Sequence, residues 1–133
     1  MASTLIGTVV NTERHQGLIT NPANGSTHEL VKLQGPGLFL SDEISKQGGS
    51  SDLTFVILDL DGKNVVNISM AALFNLGLTG HNSYGVEIYK TTSLKTVTIG
   101  WPYPLTFNKL LSLRLTTNET GIVQLLANVI AAS

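Results

Sequence analysis

Residues Phe55–Val66 read FVILDLDGKNVV, and the fold turns on how Asp59-Leu60-Asp61-Gly62 is taken. An apolar run ends there in two carboxylates one residue apart, followed by glycine. Such a stretch can carry a nucleophile and an acid for phosphoryl transfer, open a calcium loop, or turn one strand into the next. An EF-hand loop opening at Asp59 needs its glycine two residues later and a Glu six residues after the glycine, but position 68, six after Gly62, is Ile. A phosphoryl-transfer enzyme of the haloacid dehalogenase type has Thr after the glycine. It also draws Lys and further acidic residues from a large α/β domain downstream. Here Lys63 follows Gly62, and the rest of the chain has neither paired acidic residues nor alternating helical segments. The turn reading stands: Asp and Gly tolerate the positive φ of a tight hairpin, so Asp61-Gly62 joins a strand over Thr54–Leu60 to one over Lys63–Ser69.

Strand periodicity continues on both sides of this hairpin. Leu111, Leu113 and Leu115 alternate with Ser112, Arg114 and Thr116; Val97, Ile99 and Trp101 alternate with Thr98 and Gly100. Val86 and Ile88 alternate with Glu87 and Tyr89, and Val31 and Leu33 flank Lys32. The run Leu53–Leu60 is apolar throughout and reads as a strand covered on both faces. Asn24-Gly25, Gly35-Pro36-Gly37, Gly48-Gly49, Gly80-His81-Asn82, Pro102-Tyr103-Pro104 and Asn118–Gly121 punctuate these runs. Ser69–Leu76 alone reads as helix, with Ser69 as N-cap and Gly77 as its stop. About eight strands and one short helix predict an all-β sandwich or barrel forming a single domain over residues 1–133. Residues 1–26 are expected to be a partly extended N-terminal arm, and Gln47–Asp52 a mobile loop.

Composition narrows the function. Of 133 residues only 13% are charged, about half the usual share, while Thr, Ser and Asn number 15, 11 and 10. A polar but uncharged surface suits contact with other protein surfaces, and also with carbohydrate. The net charge of −1 and the scattered basic residues leave no footprint for nucleic acid. No apolar run is long enough to span a bilayer, so no membrane insertion is expected. The N-terminus MASTLIGTVVNTER does not read as a signal peptide. With no cysteine there are neither disulfides nor thiolate metal sites.

The remaining candidate side chains also have plain structural roles. His15, His28 and His81 lack metal-site spacing and read as exposed or turn histidines, so no metal or other cofactor is expected. No serine sits in a nucleophile elbow and no glycine loop cradles phosphate, so no catalytic residue is assigned. The three Asn-x-Ser/Thr sequons are what chance yields in an Asn- and Thr-rich chain. Tyr84, Tyr89, Trp101 and Tyr103 could stack on sugars; the competing reading puts Trp101 in the core, in phase with Val97 and Ile99. In the last strand, Val123, Leu125, Ala127 and Val129 share one face. Ile122, Leu126 and Ile130 share the other, with Gln124 and Asn128 between them. A strand apolar on both faces must be covered on both, so Ile122, Leu126 and Ile130 are the expected oligomer interface.

Several segments taken together resemble one family. They are Gly35-Pro36-Gly37 leading into an apolar strand, the hairpin Asp61-Gly62-Lys63, and a short helix carrying Phe74 and ending at Gly77. The last is Trp101-Pro102-Tyr103-Pro104-Leu105-Thr106-Phe107 before the strand Leu110–Thr116. The pattern is similar to the jelly-roll module of viral capsid proteins with upright barrels, the double jelly-roll type, and of their cellular relatives. The resemblance implies an antiparallel jelly roll with no catalytic residues, working by side-by-side packing. The partners it implies are further copies, as a trimer, pentamer or larger shell, and other capsid proteins. The implied location is the virion, or the cytoplasm for a cellular relative. Double-barrel proteins hold two such modules; this chain holds one, which points to a single-barrel capsid or decoration protein. A lectin-like sugar-binding module is the alternative.

Overall fold

The computed structural model describes residues 11–91 and 94–133; what was expected of residues 1–10 lies outside the described residues. The strands are β1 (Thr12–Thr20), β2 (Thr27–Gln34), β3 (Gly37–Gly48), β4 (Thr54–Leu60), β5 (Lys63–Ser69), β6 (Val86–Lys90), β7 (Leu94–Phe107), β8 (Leu110–Thr117) and β9 (Ile122–Ala132). One helix, α1 (Met70–Asn75), follows β5. Two sheets form, in the orders β1-β9-β3-β7-β6 and β2-β8-β4-β5, with every neighbouring pair antiparallel. Successive strands alternate between the sheets except at the β4–β5 hairpin and β6–β7, which is the winding of a jelly roll with β6 as an added edge strand. Among the described residues no helix is long and apolar enough to cross a membrane.

The β4–β5 hairpin forms over the expected residues, with Asp61 at φ 54° and Gly62 at φ 78°. Ser69 caps α1 by accepting a hydrogen bond from Ala72 N at 3.0 Å, and Gly77, at φ 74°, follows its end. Inward-facing Leu111, Leu113, Leu115, Val97, Ile99, Leu125, Ala127 and Val129 are fully buried between the sheets. Burying such side chains stabilises by about 1.5–3 kcal/mol each.

Three expectations need correction. Residues 12–20 are no free arm: they pair with β9 along their whole length as the edge strand β1. On β4 the inward residues Thr54, Val56, Leu58 and Leu60 are buried, whereas Phe55 and Ile57 on the other face are only half-buried and Leu53 is exposed. In β9 the alternation breaks. Gln47 pairs with Gln124 but Gly48 pairs with Ile122, so one residue is left over. A one-residue slip moves a side chain to the opposite face. Ile122 therefore joins the core at 4% exposure, and Val123 turns outward.

The two lateral sides of the sandwich close differently. On one, β1 meets β2 so tightly that a Cβ on Gly17 would lie 2.1 Å from the Leu30 carbonyl oxygen. On the other, α1 and residues 76–85 cross from β5 to β6.

Candidate assembly surfaces

Cross-strand partners in an antiparallel sheet point to the same face. The outer face of the five-stranded sheet can thus be read from its registers. Leu18 of β1 lies opposite Leu126, Gln16 opposite Asn128 and Arg14 opposite Ile130. On the other flank of β9, Ser45 faces Leu126, Glu43 faces Asn128 and Ser41 faces Ile130. Thr96 and Thr98 of β7 and Tyr89 of β6 continue the rows. Leu18 is 54% exposed, Leu126 and Ile130 are half-buried, and Arg14, Glu43 and Glu87 are the charged members. The Asn128 side-chain oxygen is buried without a partner among the described residues. Of the expected interface, Leu126 and Ile130 are here, while Ile122 is in the core.

The side bridged by α1 carries a second surface. A groove of about 520 Å³ is lined by Val65, Val66 and Ile68 of β5, Leu73 and Leu76 at the helix, and Tyr84 before β6, with no charged residue in its lining. Leu76 and Tyr84 are 67% and 72% exposed.

The groove's scaffold is fastened by charges the sequence scatters over four segments. Lys46 is fully buried, and its Nζ donates to Asp52 Oδ1 at 2.6 Å and to both Glu119 oxygens at 2.9 Å. Thr54 Oγ1 donates to Glu119 at 2.6 Å, and the Ser51 and Asp52 N–H groups at 3.3 and 3.2 Å. Burial opposes ionisation of Glu119, but the hydrogen bonds from Thr54 and Lys46 outweigh it and hold the carboxyl below its ordinary range. At Asp52 burial is likewise outweighed, by Lys46 and Lys90, and its carboxyl is held at about 2. Lys90 lies 3.1 Å from Asp52 and 4.6 Å from the Phe74 ring centre, while the Asp52 carbonyl accepts from Ala71 N at 2.9 Å. Gln47–Asp52, expected to be mobile, is stapled to α1 and the β8–β9 turn by this network. Lys46 and Lys95 stand in phase with buried Ile44 and Val97, which is the signal that could have revealed it.

The opening carboxylates have structural duties. Asp59 pairs with Arg114. Asp61 accepts from the Asn108, Lys109 and Leu110 N–H groups at 2.8, 2.7 and 3.0 Å, tying its hairpin to the β7–β8 turn. These three donors hold its carboxyl below the ordinary range. No group of three or more His, Asp or Glu able to hold a metal occurs among the described residues. Asp42 is the exception to this economy. It faces the core, neither of its oxygens makes a well-formed hydrogen bond among the described residues, and burial, against a weaker pull from the Ile99 backbone, pushes its carboxyl well above the usual range.

The four aromatics do not form one platform. Trp101 and Tyr103 line a groove with His81, Asn82 and Pro102. Trp101 is half-buried, 6.4 Å edge-to-face from Phe39 and lying over Gly85. Tyr84 lines the groove by α1, and Tyr89 stands on the outer sheet face.

No family model and no curated protein sequence matches the chain. Its fold does match solved structures. A chain in the acid-stable capsid structure of Helicobacter pylori bacteriophage KHP30 superposes with a TM-score of 0.56 at 12% identity, covering 95% of this chain and 90% of that one. A chain of the cyanophage Pam1 capsid asymmetric unit gives 0.53 at 12% identity, covering 95% and 87%. The fold is thus one found in phage capsids.

Proposed function

We propose that the chain is a non-enzymatic structural subunit that self-associates in a virus or phage capsid or decoration layer. The observation that carries this reading is the outer face of the five-stranded sheet. Leu18, Leu126 and Ile130 sit there among Ser, Thr, Gln and Asn side chains with three charges on the whole face. Uncharged polar groups and aliphatics lose less on desolvation than ions do, so this face associates at low cost. Shared fold with phage capsid chains supports the same reading. Assembly into closed symmetric oligomers, such as a trimer or pentamer, is the expected form, with residence in the virion. Substituting Leu126→Asp or Ile130→Asp places a charge in the interface while leaving the core untouched. Each variant is expected to keep its β-sheet circular dichroism and to lose the multimer in light scattering. Folded variants with unchanged mass would overturn this interface.

A further inference from the structure

Among the described residues, the groove beside α1 has an open strand along it. β5 pairs with β4 on one side and ends the four-stranded sheet on the other. An edge strand presents unpaired backbone N–H and C=O groups and invites another strand. β6, across the groove, is better covered: Ile88 N donates to Leu78 O at 2.8 Å, and Asn82 Nδ2 to Val86 O at 2.8 Å.

The chain has a segment with the chemistry to fill this place. Ser3–Val10 reads STLIGTVV: uncharged, free of proline, and β-branched at five of eight positions. Such composition favours strand, and its Leu5, Ile6, Val9 and Val10 match an uncharged apolar groove. Its own copy is badly placed to bring it there. The segment is joined to β1, which starts at Thr12. β1 and β6 are the opposite edges of a five-stranded sheet, about 19 Å apart at the usual strand spacing. β5 lies on the β6 side, in the facing sheet. A second copy is under no such restriction.

We infer that Ser3–Val10 of a second copy adds as a strand to β5, with its aliphatic side chains in the groove lined by Val65, Ile68, Leu76 and Tyr84. This deepens the self-assembly reading and rests on it. Because the chain has no cysteine, the contact can be trapped by pairing Thr4→Cys or Thr8→Cys with Asn67→Cys, an exposed residue of β5, in one chain. On oxidation, disulfide-linked multimers are expected. Monomers with an internal disulfide, or no disulfide at any pairing, would overturn the inference. Leu76→Asp gives a second arm, since Leu76 is exposed and its change leaves the core intact. It is expected to raise the concentration for half-assembly by at least about tenfold. An unchanged value in the folded variant would overturn the exchange. The two readings fail separately: an unlinked, Leu76-indifferent multimer ends the strand exchange alone, whereas a native chain that stays monomeric ends both.

Discussion

The two lateral sides of this sandwich solve one problem by different means. Where β1 meets β2, backbone approaches backbone and glycine is the residue that fits: Gly17 leaves no room for a Cβ against Leu30. Where β5 and β6 diverge, a helix and a loop span the gap, held by Lys46, Asp52, Lys90 and Glu119, and an apolar groove stays uncovered. The first side is finished within the subunit. The second is fastened by ion pairs but left open, as the proposed assembly surface requires. Scaffold and surface are separate there, since the charges do not line the groove.

That separation can be broken most severely at Lys46. Lys46→Met leaves Glu119 without its buried cation, while Asp52 keeps Lys90 and Lys95, and is expected to cost about 3–5 kcal/mol in urea denaturation. A cost below about 1 kcal/mol would mean that the network does not hold the groove side. Acid attacks the same fastening. Asp52 is ionised in the fold down to a pH of about 2 against an ordinary 3.8, so its contribution is present above pH 3.8 and lost as pH falls through that window. Stability measured from pH 5 to pH 2 should fall accordingly, and the fall should be smaller in Asp52→Asn.

Asp42, central in the five-stranded sheet, lies apart from both sides and works in the opposite direction. Its raised folded value means that stability is lost as pH rises above 3.8. Asp42→Val removes a buried carboxyl and is expected to raise stability at neutral pH by about 1–3 kcal/mol, with a smaller gain in strong acid, where the carboxyl is uncharged. The closed side is probed by a pair of glycines. Gly17→Ala should cost about 1–3 kcal/mol through overpacking. Gly80→Ala, on the bridging loop with open space around it, should stay within about 0.5 kcal/mol. Equal costs would erase the distinction between the two sides. Smallest of all is the effect of Leu76→Asp on the monomer, within about 0.5 kcal/mol by denaturation, although it is expected to disturb assembly.

What was legible in the sequence had a local cause. The β4–β5 hairpin needs only Asp61-Gly62 between alternating strands, and α1 needs only Ser69 and Gly77, so both were placed to within a residue or two. β1 was missed because its inward positions are Glu13, His15, Gly17 and Ile19, which carry no apolar period; pairing with β9 makes it a strand. Ile122 was put on the wrong face because strict alternation cannot foresee the irregularity opposite Gly48. The Lys46–Glu119 pair joins residues 73 apart, and Asp61 acts on the β7–β8 turn; such contacts exist only after the chain is wound. Leu126 and Ile130 were visible as a second apolar face. The groove was not, because its lining comes from β5, α1 and the residues before β6 together.

On the proposed reading, this subunit is completed by copies of itself. Light scattering behind size exclusion, on the native chain across a range of concentrations, tests it most directly. A defined multimer, growing in population with concentration, is the predicted result. A species that remains at 14.2 kDa at every concentration would contradict it.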